Sequence, residues 1–406
     1  MSVDPNLRLP YVLNYNVGVT HAFGPNLSLE VEYVGNRGYR LLNFADINQA
    51  PQGAAYCVNS PLTLAQSKDA CAGGALPIGG GSAQAVQESR PFFNKFPYLG
   101  YIYQISNRSH SNYNSLQVSL TKRMSHGLAL TAGYTYGHSL DNGSLNRFGL
   151  NPQDSTNLAA DYANSDFDVR HRLTATVTYN IPGIKGFGQL LEGWQINSIV
   201  TYATAQPWQT YDNSNNFSGT RELADRWNIF GNPSDFPSGK NSIPFCTAAG
   251  GCAYATIYGN VAIANEFSKC TAVANTPALL ASLNAAGCYV SANGNSVIIP
   301  PAVGTYGNIG RNIFRDSGFT NVDFSVFKNF TFKERYGIQA RWEIFNVANH
   351  PIAANPSGAS SSVNTNNQFG GSAFGGSQLT PDFAAGNPLI GSGSQRVMQV
   401  GLKLTF

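Results

Sequence analysis

The sequence predicts an all-β chain: an antiparallel transmembrane β-barrel present in part, with about nine to ten long strands and long loops at one end. Three observations carry this. Apolar and polar residues alternate with period two in runs of about ten residues, the length that crosses a bilayer at a barrel's tilt. The connections between runs alternate between short and long. Charged residues make up only 12% of 406, while 42 Gly, 20 Tyr and 24 Phe are abundant, so polarity comes from amides and hydroxyls, as suits a sheet with one apolar and one wet face.

The first run sets Tyr11, Leu13, Tyr15, Val17 and Val19 against Asn14, Asn16 and Thr20. After a Phe23–Asn26 turn, Leu27, Leu29, Val31 and Tyr33 face away from Ser28, Glu30 and Glu32, and the two runs form a hairpin. Leu116, Val118 and Leu120 follow, and beyond Ser125-His-Gly127 come Leu128, Leu130, Ala132, Tyr134 and Tyr136. The clearest run sets Leu173, Ala175, Val177, Tyr179 and Ile181 against Arg170, Arg172, Thr174, Thr176 and Thr178. Trp194, Ile196, Val200 and Tyr202 come next, then Val322, Phe324 and Val326, then Ile338, Ala340, Trp342 and Ile344, and finally Met398, Val400, Leu402, Leu404 and Phe406.

Short turns near 23–26, 124–127, 182–189 and 331–335 interleave with long polar segments near 38–110, 138–168, 207–316 and 350–394. Long unstructured connections are uncommon in a compact soluble domain. Short periplasmic turns and long extracellular loops are the habit of outer-membrane barrels. With short turns inside, both the last strand and the first descend. An odd count, an outside start and no signal peptide after Met1 agree in predicting missing N-terminal strands, since complete bacterial barrels have even counts. No run approaches a transmembrane helix, mean hydropathy is −0.17, and a net charge of +3 gives no argument for nucleic acid.

All six cysteines, Cys57, Cys71, Cys246, Cys252, Cys270 and Cys288, fall in the expected loops, consistent with an oxidising compartment. Pairing is open from sequence alone; neighbours (Cys57 with Cys71, Cys246 with Cys252, Cys270 with Cys288) close the shortest loops. A metal site is the sharper alternative, but Cys-x-x-Cys and paired histidines are missing. Asp161, Asp166 and Asp168 form a weak candidate for a hard cation. The plainer reading is a rim where these acids meet Arg170 and Arg172 in a cross-strand ladder. Scattered histidines, with no His-Glu-x-x-His or Gly-x-Ser-x-Gly, give no catalytic residue and no cofactor. Tyr33, Tyr179, Trp194, Tyr202 and Trp342 share the apolar phase and read as interfacial girdles. Tyr289 to Ile299, around Asn293-Gly294, reads as an external hairpin.

Three stretches, Tyr113–Gly127, Gly310–Phe330 and Arg341–His350, with Asp168-Val-Arg-His171, Gly193-Trp-Gln195 and Tyr33-Val-Gly-Asn-Arg37, resemble the C-terminal barrel of TonB-dependent receptors. They resemble most the Oar-like group with a carboxypeptidase regulatory-like domain, common in Acidobacteria. The closing Val400, Leu402, Leu404 and Phe406 resemble the signal read by the barrel-assembly machinery. The resemblance implies non-catalytic, energised uptake of an unidentified ligand through a barrel of about twenty-two strands, with outer-membrane lipid as surroundings. It places residues 1–406 in that barrel, with signal peptide, TonB box and plug lying outside the sequence, so that TonB is reached only through the absent N-terminal region. The rivals are an adhesin or passive surface-display barrel and, from another class, a barrel hydrolase.

Overall fold

The computed structural model describes every residue except 59–80, 145–151, 185–188, 213–215, 223, 257, 333–335, 357–368, 371–373 and 377–394. Nine long strands form one antiparallel meander: β1 (Tyr11–Ala22), β2 (Leu27–Asp46), β3 (Tyr103–Ser125), β4 (Leu128–Asp141), β5 (His171–Asn180), β6 (Trp194–Ala203), β7 (Phe319–Phe332), β8 (Tyr336–Phe345) and β9 (Val397–Thr405). Each strand pairs with its neighbours in sequence, and β1 and β9 lie at opposite edges without pairing to one another among the described residues. The expected strands are all present, and so is the alternation of short and long connections.

Register explains why the alternation matters. Val177, Ser198, Phe324, Ile344 and Met398 stand in one row across β5 to β9, and Tyr179, Ile196, Val326, Trp342 and Val400 in the next row on the same face. On the opposite face, Thr178, Asn197, Ser325, Glu343 and Gln399 line up. A one-residue slip would exchange the two faces, so register is strongly specified once one of them meets lipid. At one pairing the apolar face needs glycine. The Tyr15 ring lies over Gly35, where an added Cβ would stand 2.0 Å from a ring carbon.

Two strands run longer than hydropathy foretells. β2 has 20 residues and β3 has 23, so the segment read as loop from 38 to 110 is strand as far as Asp46 and again from Tyr103. This corrects the expected boundaries. Asn43, Asp46, Ser106 and Ser109 show no apolar alternation because the ladder there has left the lipid, yet backbone pairing continues through two register shifts between Gly38 and Asn43.

The second correction concerns the long connections, whose described residues are packed rather than unstructured. A single-layer wall cannot bury side chains against itself, and the buried hydrophobic clusters lie almost wholly beyond the strand ends. Residues 207–316 supply a second, six-stranded sheet ordered 228–230, 297–299, 288–290, 245–247, 251–256 and 259–263. The hairpin expected over Tyr289 to Ile299 supplies its second and third strands. Two helices, α1 (Phe267–Val273) and α2 (Pro277–Ala286), close one side. Thr276 caps α2 by accepting from Leu279 N, Pro277 follows at the first helical turn, and Gly287 ends it at φ 76°, the usual start and stop chemistry.

Candidate functional site: the cap at the long-loop end

The cap is organised around aromatic side chains. Trp208 stacks on Phe314 with ring centroids 4.8 Å apart, Trp227 stacks on Phe369 at 4.9 Å, and Tyr289 and Phe374 meet at 4.5 Å. Phe369 and Phe374 come from the β8–β9 connection, and Phe374 O accepts from Ile243 N, so two long loops share one core. Trp227 Nε1, buried, donates to Asp212 Oδ2 at 2.9 Å. Such rings bury large areas and hold specific geometries, which fixes the loops as a single body.

Disulfides staple the same body. Cys246 and Cys252 face each other on adjacent strands, and Cys270 of α1 is bonded to Cys288. Cys57 is also disulfide-bonded; Cys71 lies outside the described residues.

The cap is anchored to the wall by buried ion pairs. Arg311 pairs with Asp141 at the end of β4 and with Asp166 at 3.6 Å, Arg226 pairs with Asp161, and Arg315 pairs with Asp168 at 2.6 Å. Asn312 Nδ2 adds a bond to Asp166 Oδ1 at 2.8 Å. The expected ladder needs correction here. Arg170 does meet Asp168 at 3.0 Å, but Arg172 pairs with none of these acids among the described residues. The partners come instead from arginines 65 to 170 residues further along the chain. The weak cation site is corrected likewise: Asp161 is drawn to Arg226, Asp166 to Arg311 and Asp168 to Arg170 and Arg315, and among the described residues no group of three ligating side chains is placed to hold a metal.

A strap from Ser218 to Glu222 joins the cap to the β2–β3 connection. Gly53 N donates to Ser218 O at 2.7 Å, Ala55 N to Gly219 O at 2.9 Å, and Tyr101 Oη to Arg221 O. Beneath it Asp46 accepts from Asn48 N, Ile102 N and Arg90 Nη1. Glu222 is buried beside it, and that burial, reinforced by the charge of Asp46, pushes its carboxyl up to about 9. Asp225 is raised to about 6 by burial, although bonds from Ser218 oppose the shift. Burial also raises the Tyr306 phenol, and Tyr101 rises for the same reason with help from Glu222. Asp235 is lowered by bonds from Ser296 and Asn293.

The girdle aromatics Tyr33, Tyr179, Trp194, Tyr202 and Trp342 are all substantially exposed on the wall. Val400, Leu402 and Leu404 lie in β9, with Phe406 just beyond its end, and all four are exposed. Sequence reading passed over Arg90, Glu222, Arg226, Arg311 and Arg315. The available signal was the string Trp208, Phe217, Trp227 and Phe236 within a segment read as loop, since large aromatics recurring there imply a core.

A membrane-spanning antiparallel wall crowned by folded loops defines a barrel protein of the bacterial outer membrane. The chain belongs to the outer membrane beta barrel domain family, whose sequence profile matches residues 1–382. No curated protein sequence matches it. Among solved structures it is similar to the siderophore receptor PiuA from Acinetobacter baumannii (9% identity, TM-score 0.35, covering 84% of this chain and 25% of that one). It is also similar to the pyoverdine outer membrane receptor FpvA from Pseudomonas aeruginosa (10%, 0.38, 98% and 30%) and to the outer membrane transporter YddB from Escherichia coli (10%, 0.34, 86% and 30%). The chain thus spans between a quarter and a third of the length of those proteins.

Proposed function

We propose that the chain is wall and ligand-capturing cap of an outer-membrane receptor that takes up its ligand by TonB-dependent transport, without covalent chemistry. In this reading the long-loop end faces outward and residues 1–406 are the C-terminal part of the barrel. The observation that carries it is the ordered cap. Loops that only joined strands would have no need of a shared aromatic core, two disulfides and buried ion pairs, whereas a recognition surface must be pre-organised. The resemblance of Tyr113–Gly127, Gly310–Phe330 and Arg341–His350 to TonB-dependent receptors, and within them to the Oar-like group, supports the energised mode. Val400, Leu402, Leu404 and Phe406 are offered to the barrel-assembly machinery. The genomic DNA upstream of the Met1 codon tests this. A reading frame continuing upstream into a plug domain and TonB box is expected; an in-frame stop beside a genuine start at Met1 would contradict it.

A further inference from the structure

Close to the strap, residues from four separate segments surround a cavity of about 420 Å³, lined among others by Gln49, Gln52, Arg90, Asp154, Thr156 and Tyr306. That volume lies in the ~300–1,000 Å³ range of small-molecule sites. The lining is held in place before any ligand arrives. Gln49 Oε1 accepts from Ser155 N at 2.6 Å while its Nε2 donates to Tyr306 Oη at 2.8 Å, and Ser155 Oγ in turn accepts from Asp46 N. Tyr306 therefore accepts one bond and keeps its own hydrogen to donate.

Two further groups have capacity to spare. Arg90 spends Nη1 on Asp46 and Asn48 O, but its Nε, buried, has no hydrogen-bond partner among the described residues. Asp154 Oδ1 receives both Thr156 N and Thr156 Oγ1, and these bonds leave Oδ2 unused. A buried donor without a partner is costly, and a ligand oxygen would satisfy it. Against the Arg90 guanidinium, 4.6 Å away, lies the exposed ring of Tyr101, itself stacked on Tyr103. The same segment exposes Phe96 and Tyr98.

The chemistry selects a class. The lining's one guanidinium, Arg90, is already paired with Asp46, and the carboxylate that remains, Asp154, disfavours an anionic ligand. A mixture of donors and acceptors in the lining suits hydroxyl groups, which do both, and the Tyr101 ring, outside the lining but against Arg90, offers a flat face to an adjoining sugar ring. Resting on the reading of the cap as the ligand-capturing face, we propose that this cavity binds one ring of a neutral saccharide, with Tyr306 and Arg90 donating to its oxygens and Asp154 accepting from a hydroxyl.

Saturation-transfer NMR on the full chain in detergent, with maltose, cellobiose and lactose as probes and triglycine as zwitterionic comparator, tests this. At least one disaccharide is expected to bind, and Tyr306→Phe and Asp154→Asn are each expected to weaken it about tenfold, the effect of one well-made hydrogen bond. Unchanged far-UV circular dichroism confirms folding of the variants. Saccharide binding that survives both substitutions, or binding of none of the disaccharides, overturns the proposal. Triglycine bound in their place, and lost in the same variants, overturns the saccharide class while leaving a ligand-capturing cap. None of these outcomes alters what the upstream DNA says about transport.

Discussion

Arg311 and Asp141 lie 170 residues apart in the chain and meet as a buried ion pair, so the outer end of β4 and the far end of the longest loop are fixed to one another. Arg311 Nη2 also donates to Asp141 O, and its Nε to Asp161 O. Removing one partner of such a pair leaves the other charge buried without compensation. Arg311→Met is expected to destabilise the cap by about 3–5 kcal/mol. Limited proteolysis should show cleavage within 204–318 while β1 to β9 stay protected; an unaltered digestion pattern would show that the pair does not anchor the cap.

Proton linkage gives the strap a pH dependence with a definite sign. Glu222 is raised from 4.5 to about 9 and Asp225 from 3.8 to about 6. Below the lower values both carboxyls are neutral whether the cap is folded or not, and the strap's full stability is present. As pH rises, the unfolded chain releases protons that the folded cap retains, so stability falls. The decline is steepest between 4.5 and 6, where both groups contribute, and continues to about 9 through Glu222 alone. Thermal melts followed by Trp208 and Trp227 fluorescence, with Trp194 and Trp342 replaced by Phe, should show cap melting temperature dropping over that window. Glu222→Gln should flatten the part above pH 6.

The covalent staple across the helices is expected to matter more than the one across adjacent strands. Cys270–Cys288 spans 18 residues and Cys246–Cys252 only 6, and the loop-entropy model assigns about 3 kcal/mol to a loop near the longer size and less to the shorter. Replacing Cys270 and Cys288 with Ser should lower the cap's melting temperature further than replacing Cys246 and Cys252. Equal effects would point to strain or packing rather than chain entropy.

At the opposite end, Lys328 lies in the apolar row of β7 yet is buried. Its Nζ donates to Gln189 O and Glu192 O and sits over the rings of Trp194 and Phe330. One ammonium group thus ties the β5–β6 turn to β7 and satisfies two carbonyls. Lys328→Met is expected to cost about 1–3 kcal/mol, read as a lower denaturant midpoint for the wall with the cap's disulfide and proteolysis patterns unchanged.

The wall was legible in the sequence because lipid on one face and water on the other impose period two, and Val177, Tyr179 and their row partners carry it openly. Alternation fails where that environment ends, so the outer halves of β2 and β3, rich in Asn, Ser and Arg, read as loop although their backbones stay paired. The acids Asp161, Asp166 and Asp168 were visible as a concentration of charge, and Arg170 beside them was found. Arg226, Arg311 and Arg315 were not, because contacts closed across 65 to 170 residues leave no local periodicity. Glu222 gave no signal at all, since the charged groups that act on it, Asp46 at the end of β2 and Arg90 in the β2–β3 connection, are remote in sequence.

The central claim is that the wall crosses the outer membrane with the cap outside. Tyr258, 94% exposed at the tip of a cap hairpin, and Phe332, exposed at the short-turn end of β7, report on the two sides. Each can be replaced by cysteine and probed on intact cells with a membrane-impermeant maleimide. Tyr258→Cys is expected to label on intact cells and Phe332→Cys only after the outer membrane is permeabilised. Labelling of Phe332→Cys alone on intact cells would contradict the orientation, and labelling of both to the same extent would contradict a membrane-spanning wall.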